Sequence, residues 1–180
     1  MNTFDTLFSR KSVRSYTGEQ ITDKDLELIL KSAYAAPIGM GRYADMHLTV
    51  IQNPELLDRI DRAGAEMFGN PNMHPLYGVP TFILVSSKRP DPAKKMMVNL
   101  ALSNAAIVVH NMVLAATELG LGACYLWGAT DALSMQADLL AELDLPEDFI
   151  PCCAVGIGKT DETYSIREIP HNRITKNVIL

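Results

Sequence analysis

Cysteine is scarce in this chain of 180 residues, and its arrangement does not suggest cross-linking. The three cysteines, Cys124, Cys152 and Cys153, lie inside apolar runs and form no CxxC pair. An odd count without such spacing is typical of reduced thiols packed in a core. The first residues also lack the basic start and the apolar stretch of a signal peptide. We therefore expect a cytoplasmic protein.

An excess of positive charge is also missing. The chain has 16 Lys and Arg against 21 Asp and Glu, which gives a formal net charge of -5. Broad binding to nucleic acid or to an anionic membrane surface usually requires the opposite sign, so we expect neither partner. The four histidines are scattered without HxH or HExxH spacing, so no metal site is predicted. Of these, His74 lies in a glycine-rich loop where it could face a substrate, but no neighbouring residue in the sequence supports that role.

Hydrophobic periodicity predicts a single domain over residues 1–180. Apolar residues make up 48% of the chain, which supports a substantial core. Helical patterns alternate with strand patterns, and we predict strands near residues 46–51, 79–86, 123–127 and 152–157. We predict helices at 3–8, 22–36, 55–65, 96–119 and 130–143. This order indicates an α+β, layered α/β fold with a mixed, mostly antiparallel central sheet flanked by helices.

The helix predicted over residues 96–119 is apolar over nearly its whole circumference. Its polar residues form two adjoining rows with a seven-residue repeat, which we interpret as one narrow stripe: Ser103, His110 and Thr117 beside Asn104, Asn111 and Glu118. A membrane span of about 20 residues is the alternative, but polar residues interrupt its middle. A helix that is apolar nearly all round is a buried helix. Because a chain of this size can cover only part of it, we predict that a second subunit covers the rest in a homodimer.

Polar donors alternate in the segment that follows the first helix. Arg10, Ser12 and Arg14 would point to one side of an extended chain, with Lys11 close by. Guanidinium groups donate two parallel hydrogen bonds and suit phosphate, although a solvated basic turn would look the same in sequence. Two glycine motifs, at residues 120–122 and 158–160, lack the context of a dinucleotide or phosphate loop, and we reject them.

Catalytic side chains are not legible in this sequence. We find no Ser-His-Asp or Cys-His arrangement, so we expect a cofactor to carry the chemistry. A flavin meets this requirement, because its ring performs the redox step. The protein then supplies phosphate donors, a cation near the N1/O2 edge and a backbone N–H at N5.

In several short motifs, taken in order, the chain resembles the FMN-dependent nitroreductase family over nearly its whole length. The matching stretches, none decisive alone, are Arg10-Lys11-Ser12-Val13-Arg14, Ala35-Ala36-Pro37, the long helix running into Leu119-Gly120-Leu121-Gly122, Leu143-x-Leu145-Pro146 before Gly156-x-Gly158, and Arg173. The resemblance implies an intertwined homodimer with two FMN sites at its interface, and a tail at about residues 171–180 that docks on the partner subunit.

The resemblance also implies which residues bind FMN. Phosphate and ribityl would be held by Arg10, Lys11, Ser12 and Arg14, with Arg14 nearest the O2 edge of the ring. The remaining contacts would come from Pro37, Ile38 and Gly39 of the other subunit, and from Asn72, Trp127, Gly128, Ala129, His171 and Arg173. In place of the serines and asparagine of many relatives, residues 38–42 read Ile-Gly-Met-Gly-Arg, which affects substrate preference.

The activity implied is that of an FMN-dependent oxidoreductase working in ping-pong order. NADH or NADPH would give hydride to flavin N5, and a small acceptor such as a nitroaromatic or a quinone would then receive it. No catalytic side chain is required, because N5 accepts hydride directly. Two alternatives remain open at this point: a flavin-binding carrier or sensor without steady turnover, and a dimeric scaffold without cofactor.

Overall fold

The computed structural model describes residues 2–179. Its helices and strands alternate along the chain much as the periodicity predicts. In chain order they are α1 (Thr3–Ser9), α2 (Asp23–Tyr34), β1 (Met46–Ile51), α3 (Pro54–Met67), β2 (Thr81–Lys88), α4 (Lys95–Glu118), β3 (Gly122–Tyr125), α5 (Trp127–Ser134), α6 (Ala137–Glu142) and β4 (Phe149–Gly158).

The four described strands form one sheet in the order β1-β2-β4-β3. All three pairings are antiparallel, so the predicted α+β class is confirmed, and the sheet is antiparallel throughout rather than mixed. The central strand β2 is buried at every residue except Lys88. Its apolar run at residues 82–85 has no polar side, because helices cover both faces of the strand.

Alternate residues of β2 face two separate halves of the core. Ile83 and Val85 belong to the half that contains α2 and α4, where they join Val109 and Met112 of α4. Phe82 and Leu84 belong to the half beneath α3 and α5. The two-residue period of a strand therefore produces three layers, with the sheet in the middle.

The polar residues of α4 differ in burial along the helix. Asn104 and Thr117 are buried, whereas Ser103 and His110 are exposed. Burial therefore changes within each predicted row as well as between the two rows. The inner polar side chains are satisfied by hydrogen bonds from Gly39 N to Asn104 Oδ1 (3.0 Å), from Asn111 Nδ2 to Ser32 O (3.0 Å) and from Thr117 Oγ1 to Val113 O (2.9 Å).

The outer side of α4 carries exposed apolar residues beside the exposed Ser103 and His110. Leu102 and Ile107 are 39% and 38% exposed on this side. By length and composition α4 could cross a membrane, but 44% of that stretch is already buried against the rest of the chain. Its packing against α2, β3 and β4 is that of a core helix.

Several predicted boundaries differ from the structure. Trp127 begins α5 instead of ending a strand, and the single helix predicted over residues 130–143 is two helices, α5 and α6. Thr130 lies inside α5, where its Oγ1 donates to Leu126 O at 2.7 Å. The helix α3, predicted to end at residue 65, continues to Met67.

Candidate functional site

The segment at residues 10–16 runs beside the edge strand β3. Val13 N donates to Ala123 O at 3.0 Å, and the Val13 side chain is fully buried. The segment can approach β3 this closely because Gly122 has no side chain. A Cβ on Gly122 would lie 2.8 Å from Val13 Cγ1. Since Val13 points inward, the residues on either side of it project to the other face of the segment.

Ser12 and Arg14 share Cys124 of β3 as a neighbour. Burial raises the pKa of the Cys124 thiol, while the positive charge of Arg14 and a hydrogen bond with Ser12 oppose that rise. The alternation predicted for these two residues is therefore reproduced. Cys124 itself is buried and protonated, and it serves as packing between the sheet and the segment.

Arg14 also lies against Tyr77, a residue that sequence reasoning missed. The guanidinium carbon lies 5.6 Å from the centre of the Tyr77 ring. A hydrogen bond to Tyr77 and the nearby Cys124 raise the pKa of Arg14 further. Tyr77 has a positive φ of 56° and precedes Gly78 at 71°, so a tight turn aims the ring at Arg14. The only sequence signal was the glycine after Tyr77.

The basic residues of the segment at residues 10–16 differ in their ion pairs. Lys11 Nζ pairs with Glu162 at 2.7 Å. Among residues 2–179, Arg10 and Arg14 have no carboxylate partner. Arg10 lies near His110, whose pKa is lowered by partial burial and by the Arg10 charge. Two unpaired guanidiniums on one edge of the domain form a region suited to an anion.

The start of α5 lies just beyond β3 and supplies free backbone donors. Trp127 is 50% exposed, and the preceding Leu126 provides no side-chain cap. The first N–H groups of a helix have no partner within it, so those of Gly128 and Ala129 can serve a ligand. Phe68, also missed in sequence, covers this point: a Cβ on Gly128 would lie 2.6 Å from Phe68 Cζ.

The predicted residues Pro37, Ile38 and Gly39 pack elsewhere. Ile38 is buried and Pro37 is exposed. Gly39 N donates to Asn104 Oδ1 at 3.0 Å, whereas Arg10 lies near His110 of the same helix. These two positions on α4 are separated by about 9 Å along its axis and by about 120° around it. Within one chain, therefore, the two groups of residues approach different parts of α4.

The remaining predicted residues lie at the surface. Asn72 is exposed, and its backbone N–H donates to Asn70 Oδ1 at 3.1 Å. His171 and Arg173 are exposed in the tail, where Arg173 N donates to Pro170 O at 3.2 Å. In the described part of the chain, none of the three makes a side-chain hydrogen bond or ion pair with residues 10–14. Their roles stay predictions.

An open groove of about 730 Å³ extends from Arg14 along the loop that follows α3. His74 and Asp61 line it together, although they are 13 residues apart in sequence. That spacing carries no recognisable motif, which explains why Asp61 was missed. Charged, aromatic and apolar side chains share its lining, among them Arg14, Leu57, Asp58, Asp61, His74, Tyr77 and Val79.

Fold and site together define an α+β domain with an anion-binding edge beside the free start of a helix. The chain belongs to the nitroreductase family, whose sequence profile matches residues 7–74 and 65–159. Among its relatives is a putative NADH dehydrogenase/NAD(P)H nitroreductase of Archaeoglobus fulgidus. The two are 28% identical over 152 residues, which cover 84% of this chain and 82% of the relative.

Solved structures share the fold over almost the whole chain. A nitroreductase with bound FMN from Bacteroides fragilis is 28% identical and superposes with a TM-score of 0.76, covering 99% of this chain and 100% of that one. A nitroreductase with bound FMN from Desulfitobacterium hafniense gives a TM-score of 0.82 with the same coverage at 23% identity. At that identity the second likeness concerns the fold alone.

Proposed function

We propose that this protein is an FMN-dependent oxidoreductase that works as a homodimer. NADH or NADPH reduces the flavin at N5 and leaves, and a small acceptor such as a nitroaromatic or a quinone then enters. The single observation that carries the proposal is the pair of guanidiniums, Arg10 and Arg14, in the segment at residues 10–16, neither of which has a carboxylate partner among residues 2–179. Nitroreductases with the same fold have been solved with bound FMN, which supports FMN as the ligand of this site.

The donor set suits FMN in its chemistry. Arg10, Ser12 and Arg14 would hold the phosphate and the ribityl chain, with Arg14 nearest the O2 edge of the ring. Lys11 would contribute less directly, because Glu162 already pairs with its ammonium group. The free N–H groups at Gly128 and Ala129 would face N5, and Trp127 would line the ring.

The homodimer is supported by where the site residues lie on α4. In the proposed dimer, Pro37, Ile38 and Gly39 meet the flavin from the other subunit, opposite Arg10. The apolar outer side of α4 would then be covered by its copy. The tail at residues 171–180 would reach across the partner, where Ile174 and Val178, now 81% and 71% exposed, would become buried. There His171 and Arg173 would approach the phosphate, and Asn72 the ring edge.

The whole chain is proposed to be one domain of this kind in the cytoplasm. Its three cysteines are unpaired and buried, which suits a reducing compartment. The chemistry requires no side-chain nucleophile, because the bound flavin supplies the redox step. The short stretch around Gly39 carries few polar groups toward an acceptor, which favours flat apolar acceptors.

The absorbance spectrum of the purified protein, followed by anaerobic titration with NADH and NADPH, tests this proposal. We expect a yellow protein whose flavin band is bleached by at least one nicotinamide and restored by a quinone. Bound flavin that neither nicotinamide bleaches would indicate a carrier or sensor. A colourless protein that cannot be reconstituted with FMN would contradict the proposal.

A matched set of variants tests the phosphate assignment. The Arg10→Ala/Arg14→Ala double variant should lose FMN during gel filtration. The Lys11→Ala variant is the control, and we expect it to retain most of the flavin because Glu162 already engages that ammonium group. Equal retention by both variants would overturn the assignment.

A further inference from the structure

Asp61 and His74 form an oriented pair that the proposed flavin chemistry does not use. His74 Nδ1 lies 2.8 Å from Asp61 Oδ2. The other carboxylate oxygen of Asp61 accepts from Leu76 N at 2.7 Å. The Asp61 side chain is 14% exposed and that of His74 is 73% exposed. The carboxylate is therefore fixed from two sides, while the imidazole extends into open space.

The carboxylate determines which ring nitrogen is available. An ionised Asp61 only accepts hydrogen bonds, so His74 Nδ1 carries the proton between them. Nε2 is then the nitrogen that faces outward, and it carries the second proton when the ring is an imidazolium. An imidazole held in this way is equipped to give a proton from Nε2 to a bound molecule.

The position of His74 connects this pair with the predicted flavin site. His74 and Arg14 line the same groove of about 730 Å³. Tyr77, which packs on Arg14, donates its backbone N–H to His74 O at 2.8 Å. The tight turn at Tyr77 and Gly78 thus fixes the imidazole relative to the guanidinium. Leu57 and Val79 line the same groove and give it apolar walls for a flat acceptor.

We propose that His74 is the proton donor to the acceptor, with Asp61 as its positioning residue. This inference rests on the proposed function, in which the bound flavin supplies hydride, that is, two electrons and one proton. With a quinone, hydride reduces the acceptor to the hydroquinone anion, and the proton from His74 Nε2 completes the hydroquinone. His74 is left neutral and recovers its proton from water at its exposed face.

A purely structural role, in which the pair only fastens the loop to α3, makes different predictions. Such a role would matter equally for every acceptor. The other charged and titratable groups that line the grooves on either side of His74 are Asp58, Arg62 and Glu66 of α3, together with Arg14 and Tyr77. Asp58 pairs with Arg62, whereas Asp61 contacts the imidazole of His74.

The first measurement uses the protein without flavin. Nitrogen-15 NMR of the histidine side chains distinguishes the Nδ1–H tautomer from the Nε2–H tautomer. We expect His74 to be the Nδ1–H tautomer in the native protein and to change toward Nε2–H in Asp61→Asn, whose amide can donate to Nδ1. An Nε2–H tautomer in the native protein would overturn the proposal.

The second measurement compares two acceptors in the reoxidation of the reduced protein. Benzoquinone requires a proton, whereas ferricyanide accepts single electrons and requires none. We expect His74→Gln to slow reoxidation by benzoquinone roughly 100-fold, the lower end of general-acid contributions, and to leave ferricyanide unchanged. The control is His47→Gln, because His47 lies on β1 against Phe149 and outside the groove.

The outcomes of these measurements decide between the two roles. Equal slowing with both acceptors, or loss of bound flavin in His74→Gln, would overturn the proposal. If native protein is not bleached by either nicotinamide, the proposed function fails first and this inference fails with it.

Discussion

Asn104, one of the few polar residues buried on α4, accepts a hydrogen bond from Gly39 N at 3.0 Å. The bond joins the middle of the longest helix to the loop that follows Pro37. A side chain at position 39 would be crowded, because a Cβ on Gly39 would lie 2.5 Å from Leu100 Cδ1. The loop that we assign to the flavin of the partner subunit is therefore held by one amide side chain.

Replacing Asn104 by alanine should destabilise the protein. Asn104 is 6% exposed and Gly39 is half-buried, so the change removes the acceptor of a partly buried N–H. We expect the free energy of unfolding to fall by about 1–3 kcal/mol, the usual cost of an unsatisfied buried donor. Urea denaturation measures this, with the exposed neighbour Ser103→Ala as the control expected to change stability by less than about 0.5 kcal/mol. Equal effects of both changes would show that the bond contributes nothing specific.

A charge on the outer side of α4 should separate the proposed subunits. Ile107 is 38% exposed on α4, and Leu28 is 42% exposed on α2. We expect Ile107→Glu to convert a dimer into monomers, because burying an unpaired carboxylate in an interface is strongly unfavourable. Leu28→Glu, which is similar in chemistry and exposure, should remain dimeric. Sedimentation velocity distinguishes these states, and a native protein that sediments as a monomer at micromolar concentration would contradict the dimer.

Two glycines with equally close neighbours should respond differently to alanine. A Cβ on Gly158 would lie 2.6 Å from Pro80 Cδ, and one on Gly128 would lie 2.6 Å from Phe68 Cζ. Pro80 is buried and rigid, whereas Phe68 is 48% exposed and free to rotate. We expect Gly158→Ala to lower the free energy of unfolding by about 1–3 kcal/mol, as overpacking does. Gly128→Ala should cost less stability but weaken FMN binding, which thermal unfolding and flavin titration measure separately.

The buried thiols should make the protein less stable in alkali. Burial raises the pKa of Cys152 to about 11 and that of Cys153 to about 12. In the unfolded chain both thiols lose their protons from about pH 9 upward, while the folded protein retains them. The stabilisation is therefore complete below about pH 9 and is lost as pH rises through the folded values. Burial also raises the pKa of Tyr125, which adds to the same trend.

Urea denaturation at several pH values between about 8 and 11 measures this dependence. We expect the midpoint to decline above about pH 9, and to decline less steeply in the Cys152→Ala/Cys153→Ala double variant. The slope with pH is the relevant quantity, because removing two buried sulfur atoms also lowers stability at every pH. An identical slope in both proteins would contradict the assignment of the effect to these thiols.

Residue periodicity predicted the helices and strands well where the observed packing follows the same pattern. The strand at Met46–Ile51 was predicted with its observed ends, because apolar residues and the Asn53-Pro54 turn both mark it. Thr22 caps α2 as predicted, accepting from Asp25 N. The region around Trp127 was misjudged, since its apolar run suits a strand and a helix equally and only packing beneath α3 decides between them.

The candidate site was predicted in part for a related reason. Ser12 and Arg14 could be assigned to one side because alternation in an extended segment is a local property. Tyr77 and Phe68 could not be found, since both reach the site through the loop after α3, whose path depends on the tertiary structure. The polar residues of α4 were assigned to one stripe because spacing in the sequence gives the angle of each residue around the helix. Spacing does not show which neighbouring element packs against that side.

By itself, the sequence determined the class of fold, the long apolar helix and the alternating donors Ser12 and Arg14, because each depends on residue type and on spacing within one element. Tertiary structure alone decided which polar side chain of α4 faces the loop after Pro37, and that Asp61 meets His74 across 13 residues of chain. Contacts between elements depend on how helices and strands pack together, and packing is a property of the whole chain and not of any segment.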